Sequence, residues 1–202
     1  PRRVRPRSSV TDDAPPVRIL TVCTHNRTRS VMMAALLESM LTDRLGPGRV
    51  EVGSSGFGPE GISAISDAVA AMERRGHDVS AHRSRSTTAA LVDAADVIVT
   101  AERDHVVKIA ALSRAAFTRA MTLPELLERA ADVPPSADIG GVRDWVESLT
   151  VDRTAGTYLR SPVPEVADPT GSSTRAFEAA VVEIERQCRD ASALLARAAR
   201  AR

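Results

Sequence analysis

Aromatic residues make up only 2% of the 202-residue chain. Core volume must therefore come from Leu, Ile, Val, Met and Ala rather than from rings. Lysine is nearly missing too: Lys108 is the sole one, and the other basic residues are arginines. With a net charge of +1 there is no bulk case for a nucleic-acid partner. Two cysteines, Cys23 and Cys188, make no disulfide framework, so a reducing, cytoplasmic compartment is expected. No apolar run approaches the roughly 18 residues of a membrane span, which argues against a membrane partner. No Cys/His cluster has metal-ligand spacing, and neither metal nor cofactor is expected. Residues 1–16, PRRVRPRSSVTDDAPP, lack the apolar core of a secretory signal and read as a flexible tail.

What is present is a globular balance of 43% hydrophobic and 26% charged residues. VRILTVC (17–23) is a β-branched run of buried-strand length. VEVGSSG (50–56), DVIVTA (96–101) and AFTRAMTL (116–123) read as three more strands. Between them lie helical stretches: 30–46 closed by Gly46, 65–76 closed by Gly76, 86–95 and 102–112. A helix with Pro124 at its first position begins after the fourth strand. VRDWVESL (142–149) can be helix, whereas GTYLRSPVPEV (156–166) reads as irregular. From Ser172 one long helix runs on, with Phe177, Val181, Ile184, Cys188 and Leu195 on one stripe. Strands alternating with helices predict one α/β domain over 17–202. It is a three-layer fold, a four-stranded parallel sheet with helices on both faces.

In such a sheet, ligands sit where strands end and helices begin. CTHNRT, residues 23–28, is the first such junction. A short loop entering a helix can aim several backbone N–H groups at one point, and the helix dipole adds positive potential there. The planar fork of Arg29 can close the concavity on two oxygens of a tetrahedral anion. The same field favours an anionic sulfur at Cys23, and the Ser30 hydroxyl can donate to it. The segment alone leaves two readings of Cys23 open, a nucleophile beneath a phosphoryl group or a small, inert strand-end residue.

VCTHNRTRS (22–30) resembles the signature loop of the low-molecular-weight protein tyrosine phosphatase family, whose fold is shared by a class of arsenate reductases. The similarity extends to VGSSGFGP, AMERRGHDVSAHRSRSTT, ADVIVTAERDHV and VADPTGSSTRAFEAAVVEIERQC, in that order along the chain. It implies a phosphate-binding loop after the first strand, with Cys23 as nucleophile, Arg29 gripping phosphate and Ser30 stabilising the thiolate. Thr24, His25, Asn26, Arg27 and Thr28 complete the loop. The resemblance gives Asn26 a strained backbone and places Ser54 and His82 in a polar network around it. Asp168, held before Pro169, matches the general acid. The implied reaction is metal-free hydrolysis of a phosphate monoester, with a phosphorylated protein or a small phosphate ester as partner. The alternatives are a thiol-dependent arsenate reductase and a non-catalytic phosphate-binding regulator.

The chain departs from its relatives at particular positions. His25 stands where the phosphatases usually carry glycine, and Thr28 replaces a second loop cysteine that can protect the nucleophile as a disulfide. TGSS, which directly follows Asp168-Pro169, holds no aromatic, so Trp145 and Tyr158 either wall the site or belong to the core. Cys188, on an apolar helix stripe, reads as a packed core thiol. His77 and His105 read as surface or boundary residues. Residues 124–166 look enlarged, as a lid or contact segment beside the site.

Overall fold

The computed structural model describes residues 15–136 and 140–201. The tail expected at the start lies outside them up to residue 14. Four strands, β1 (Val17–Cys23), β2 (Val50–Gly56), β3 (Val97–Thr100) and β4 (Ala120–Thr122), pair in parallel in the order β2-β1-β3-β4. β1 is therefore interior. Alternate residues of its apolar run feed opposite faces, as strand geometry requires: Val17, Ile19 and Cys23 face one core cluster, Leu20 and Val22 the other.

On the first face lie α1 (Arg29–Leu45), α2 (Ser66–Glu73), α5 (Leu123–Asp132), α6 (Val142–Ser148) and the long α8 (Thr174–Arg200). α1 and α8 pack most extensively, and Phe177, Val181, Ile184, Cys188 and Leu195 form the buried stripe of α8. The Ser173 side chain caps α8 by accepting from the Ala176 N–H. On the second face lie α3 (Ala89–Ala94), α4 (Arg103–Leu112) and Tyr158 of α7 (Ala155–Arg160). This is the three-layer α/β sheet the sequence pattern predicts.

Two expected boundaries shift. AFTRAMTL is not one strand: a 3-10 turn occupies Arg114–Thr118, and β4 begins only at Ala120. The buried guanidinium of Arg119 donates back to the Ala95 carbonyl, which ties that turn to the end of α3, just ahead of β3. The stretch read as irregular contains α7, started by Thr154 and Thr157 in a reciprocal capping box. Within 124–166, α5 and α6 are core elements. Trp145 is fully buried and its indole N–H donates to the Val133 carbonyl at 2.9 Å. Tyr158 is also buried, so both rings are packing residues. What approaches the end of the sheet is a later strap, bound to β4 and to the turn after β3. The Thr122 hydroxyl donates to the Pro164 carbonyl, and the Val166 N–H donates to the Ala101 carbonyl at 2.8 Å.

Candidate active site

β1 ends at Cys23 and α1 starts at Arg29, so six residues bring sulfur and guanidinium to one end of the sheet. α1 begins without a capping side chain, and its first turn holds no acid. Its first N–H groups therefore keep their positive end for an anion. Asn26 gives the loop its shape, with φ at +52° in the left-handed region, where Asn is among the better-tolerated side chains. Gly56, at the end of β2, lies directly beneath. A Cβ there would sit 2.7 Å from the Asn26 nitrogen and 2.8 Å from the Cys23 carbonyl.

Hydrogen bonds fix the proton positions. The Arg85 N–H donates to Asn26 Oδ1 at 3.0 Å, which sets the amide orientation. Asn26 Nδ2 then donates to Ser30 Oγ at 3.0 Å. With that oxygen accepting, the Ser30 hydroxyl proton is free to point at Cys23 Sγ, 3.0 Å away. His82 Nε2 lies 2.7 Å from the Asn26 carbonyl, which can only accept, so that nitrogen carries the proton. Ser54 enters this network through its carbonyl, which accepts from Arg85 Nε at 2.6 Å. Arg27 turns outward, with Nε donating to the Ser63 carbonyl at 2.8 Å. His25 is exposed and packs over Gly58, whose Cβ would approach its Nδ1 to 2.6 Å. The Thr28 hydroxyl lies 3.3 Å from that of Thr170, joining the loop to the Asp168-Pro169 turn.

Arg29 is 3% exposed and grips three acceptors. Nη2 reaches Asp168 Oδ2 at 2.9 Å, and Nη1 reaches the Val166 carbonyl at 3.1 Å and Glu102 Oε1 at 2.5 Å. Asp168 itself is half-exposed, and its Oδ1 accepts from the Thr170 N–H at 3.0 Å. Arg29 thus meets Asp168 although Asp168 follows it by well over half the chain. Cys188 is elsewhere, fully buried on α8, and burial pushes its thiol pKa up. Among the described residues no His, Cys, Asp or Glu group could hold a metal ion.

Two residues here were given no part in the site from sequence. Glu102 is the N-cap of α4, and His105, read as a surface or boundary residue, is 1% exposed. The Glu102 N–H donates to His105 Nδ1 at 3.1 Å, and Nε2 faces Thr24 Oγ1 at 3.1 Å. The signal available was the strand end itself. β3 neighbours β1, so the turn after it must open at the same sheet edge as Cys23.

Burial lowers the His105 pKa to about 4, against the pull of Glu102. Between about pH 6.5 and pH 4 the unfolded chain binds this proton and the folded chain does not. Stability therefore falls as pH falls through that window, by on the order of 3 kcal/mol in total. His105→Asn lacks this term. Its stability deficit against wild type should shrink as urea unfolding is moved from about pH 7.5 to about pH 4.5. A deficit independent of pH would contradict the buried neutral ring.

The family described as low molecular weight phosphotyrosine protein phosphatase matches residues 18–138. A relative from Ralstonia solanacearum, a probable low molecular weight protein-tyrosine-phosphatase EpsP, is 43% identical over 82 residues, 40% of this chain and 52% of that protein. The match thus spans about half the length of the curated relative. The YwlE arginine phosphatase from Geobacillus stearothermophilus superposes with a TM-score of 0.64 at 27% identity, covering 88% of this chain and 92% of that one. A YwlE mutant from Bacillus subtilis gives 0.65 at 24%, covering 88% and 97%. The second of these bears on the fold alone.

Proposed function

The chain belongs to the low molecular weight phosphotyrosine protein phosphatase family, and on that premise we propose that it hydrolyses phosphate monoesters, protein phosphotyrosine first among them, through a cysteinyl-phosphate intermediate. One observation carries the reading. The Cys23 sulfur, 3.0 Å from a donating serine, shares a loop with an arginine that holds a half-exposed aspartate at 2.9 Å.

In the proposed cycle the Cys23 thiolate attacks phosphorus as the ester P–O bond breaks. Arg29 and the loop N–H groups hold the equatorial oxygens, whose charge they match better in the transition state than in the ground state. The approaching phosphate competes with Asp168 for Arg29. Once released, Asp168 in its acid form gives its proton to the leaving oxygen. Water then attacks the phosphoryl group, Asp168 takes its proton, and Cys23 departs as thiolate with inorganic phosphate.

Turnover of p-nitrophenyl phosphate by the pure protein, suppressed by vanadate, is the expected result; no turnover across about pH 5 to 8 would overturn the reading. Asp168→Asn should slow an alkyl phosphate by roughly a hundredfold. It should slow p-nitrophenyl phosphate much less, because that leaving group needs little help from a proton. Equal losses would remove the acid role.

The two-cysteine inventory has a redox consequence, because Thr28 occupies the neighbouring loop position and Cys188 is sealed in the core. Peroxide should add oxygen to Cys23 without forming an intramolecular disulfide. Intact mass would then show added oxygens, and a non-reducing digest would contain no peptide pair joining Cys23 to Cys188. An arsenate reductase built on these residues would need an external thiol for its electrons.

A second substrate class, phosphoarginine, is favoured by the 27% identity to an arginine phosphatase and by the Thr170–Ser173 turn, which supplies no ring to flank an aryl group. Comparing kcat/KM for phosphotyrosyl and phosphoarginyl peptides of one sequence separates the two.

A further inference from the structure

We propose that His105 is a positioning residue of this site, a neutral imidazole that ties Thr24 to the turn holding Glu102, so that the two ends of the loop are braced against one helix start. The proposal rests on the phosphatase reading for its catalytic readout.

The tautomer follows from the contacts. Nδ1 accepts the Glu102 N–H at 3.1 Å, so it carries no proton. The neutral ring is therefore protonated at Nε2 and donates to Thr24 Oγ1 at 3.1 Å. Thr24 directly follows the nucleophile, and its carbonyl accepts the Phe57 N–H at 2.8 Å. The Phe57 ring stacks on His105, with centroids 6.0 Å apart. Glu102 in turn bonds Arg29 at 2.5 Å. A chain of contacts thus runs from the residue beside the sulfur, through one buried ring, to the residue aiming the guanidinium.

Burial is the main reason the ring stays neutral, and the charges around it pull both ways. Arg29 from α1 and Lys108 from its own helix oppose a proton, and Glu102 and Asp104 favour one. Desolvation outweighs the two acids. A proton on Nδ1 would also set two donors against each other at the helix cap. No surface-histidine role requires this burial or this tautomer.

The test separates the two bonds of the ring. His105→Asn keeps an acceptor where Nδ1 stood but cannot reach Thr24. His105→Gln extends far enough to donate to Thr24 but abandons the cap. Thr24→Val, at a half-buried loop position, removes the acceptor without touching the core. The expected results with p-nitrophenyl phosphate are kcat losses of about tenfold for His105→Asn and for Thr24→Val. KM should change less than kcat. The double variant should lose little more than either single one, because both break the same link. His105→Gln should recover most of the loss.

Fully multiplicative losses, or wild-type kcat in folded His105→Asn, would overturn the brace. The affinity for inorganic phosphate, measured by calorimetry, keeps this apart from the activity assignment. If wild type binds phosphate but turns nothing over, the phosphatase reading fails. The brace then stands or falls on whether His105→Asn and Thr24→Val weaken phosphate binding to the same extent and non-additively.

Discussion

Replacing Cys23 by serine is expected to lower kcat for p-nitrophenyl phosphate by at least about four orders of magnitude while leaving phosphate affinity within a few-fold of wild type. The substitution changes one atom. A serine hydroxyl is a far weaker acid than a thiol, and the single hydroxyl donor of Ser30 cannot make up that difference. The anion site itself survives. Asn26 still fixes the loop through Arg85 and Ser30, Gly56 still lies under it, and Arg29 still projects from α1. Rate and affinity should therefore separate cleanly, as they do when an interaction made only in the transition state is lost. Calorimetric titration with inorganic phosphate, beside a turnover assay sensitive to trace activity, reads both. Turnover near wild type would end the assignment of Cys23. Loss of phosphate binding in a folded variant would mean that the loop depends on the sulfur for its shape.

The parts of this architecture that were legible in sequence are the local ones. The run Val17–Cys23 alternates between two buried faces, which only an interior strand does, and the stripe of α8 repeats at helix spacing. The loop is a contiguous segment, so its residues could be named from their order. What escaped depends on contacts across the chain. His105 in a polar helix start looks like a surface residue; it is buried because α4 docks beside Thr24, which precedes it by 81 positions. Glu102 looks like an ordinary helix-start acid until β3 and β1 become neighbours and set it against Arg29. Ser54 illustrates a finer limit. The resemblance placed it in the network around Asn26, and the contact the structure gives it there is made by its carbonyl, which accepts from Arg85. The 3-10 turn ahead of β4 escaped for a similar reason, since the contact of the Arg119 guanidinium with the Ala95 carbonyl is one that strand propensity does not register.

Arg29→Lys is the change with the next largest expected effect, a fall in kcat of roughly a hundredfold to a thousandfold with a smaller rise in KM. Lysine keeps the charge, so a purely electrostatic role for Arg29 would make the variant nearly silent. The geometry argues otherwise. One planar fork reaches Glu102, Asp168 and the Val166 carbonyl together from a position 3% exposed. An ammonium on a flexible stem offers no fixed fork, and a phosphoryl group in flight needs two equatorial oxygens held at once. Glu102 decides where the fork points, so Glu102→Gln should lower kcat less than Arg29→Lys and add little in the double variant. The Asp168 contact adds a further expectation. When lysine replaces the fork, the aspartate loses a rigid partner and the Thr170 turn loosens, so Arg29→Lys should also steepen the fall of rate with leaving-group basicity, slowing alkyl phosphates more than p-nitrophenyl phosphate. A lysine variant within threefold of wild type would mean that charge alone carries the role. A variant slowed by the same factor for every leaving group would mean that Arg29 serves the phosphoryl group without steering the acid.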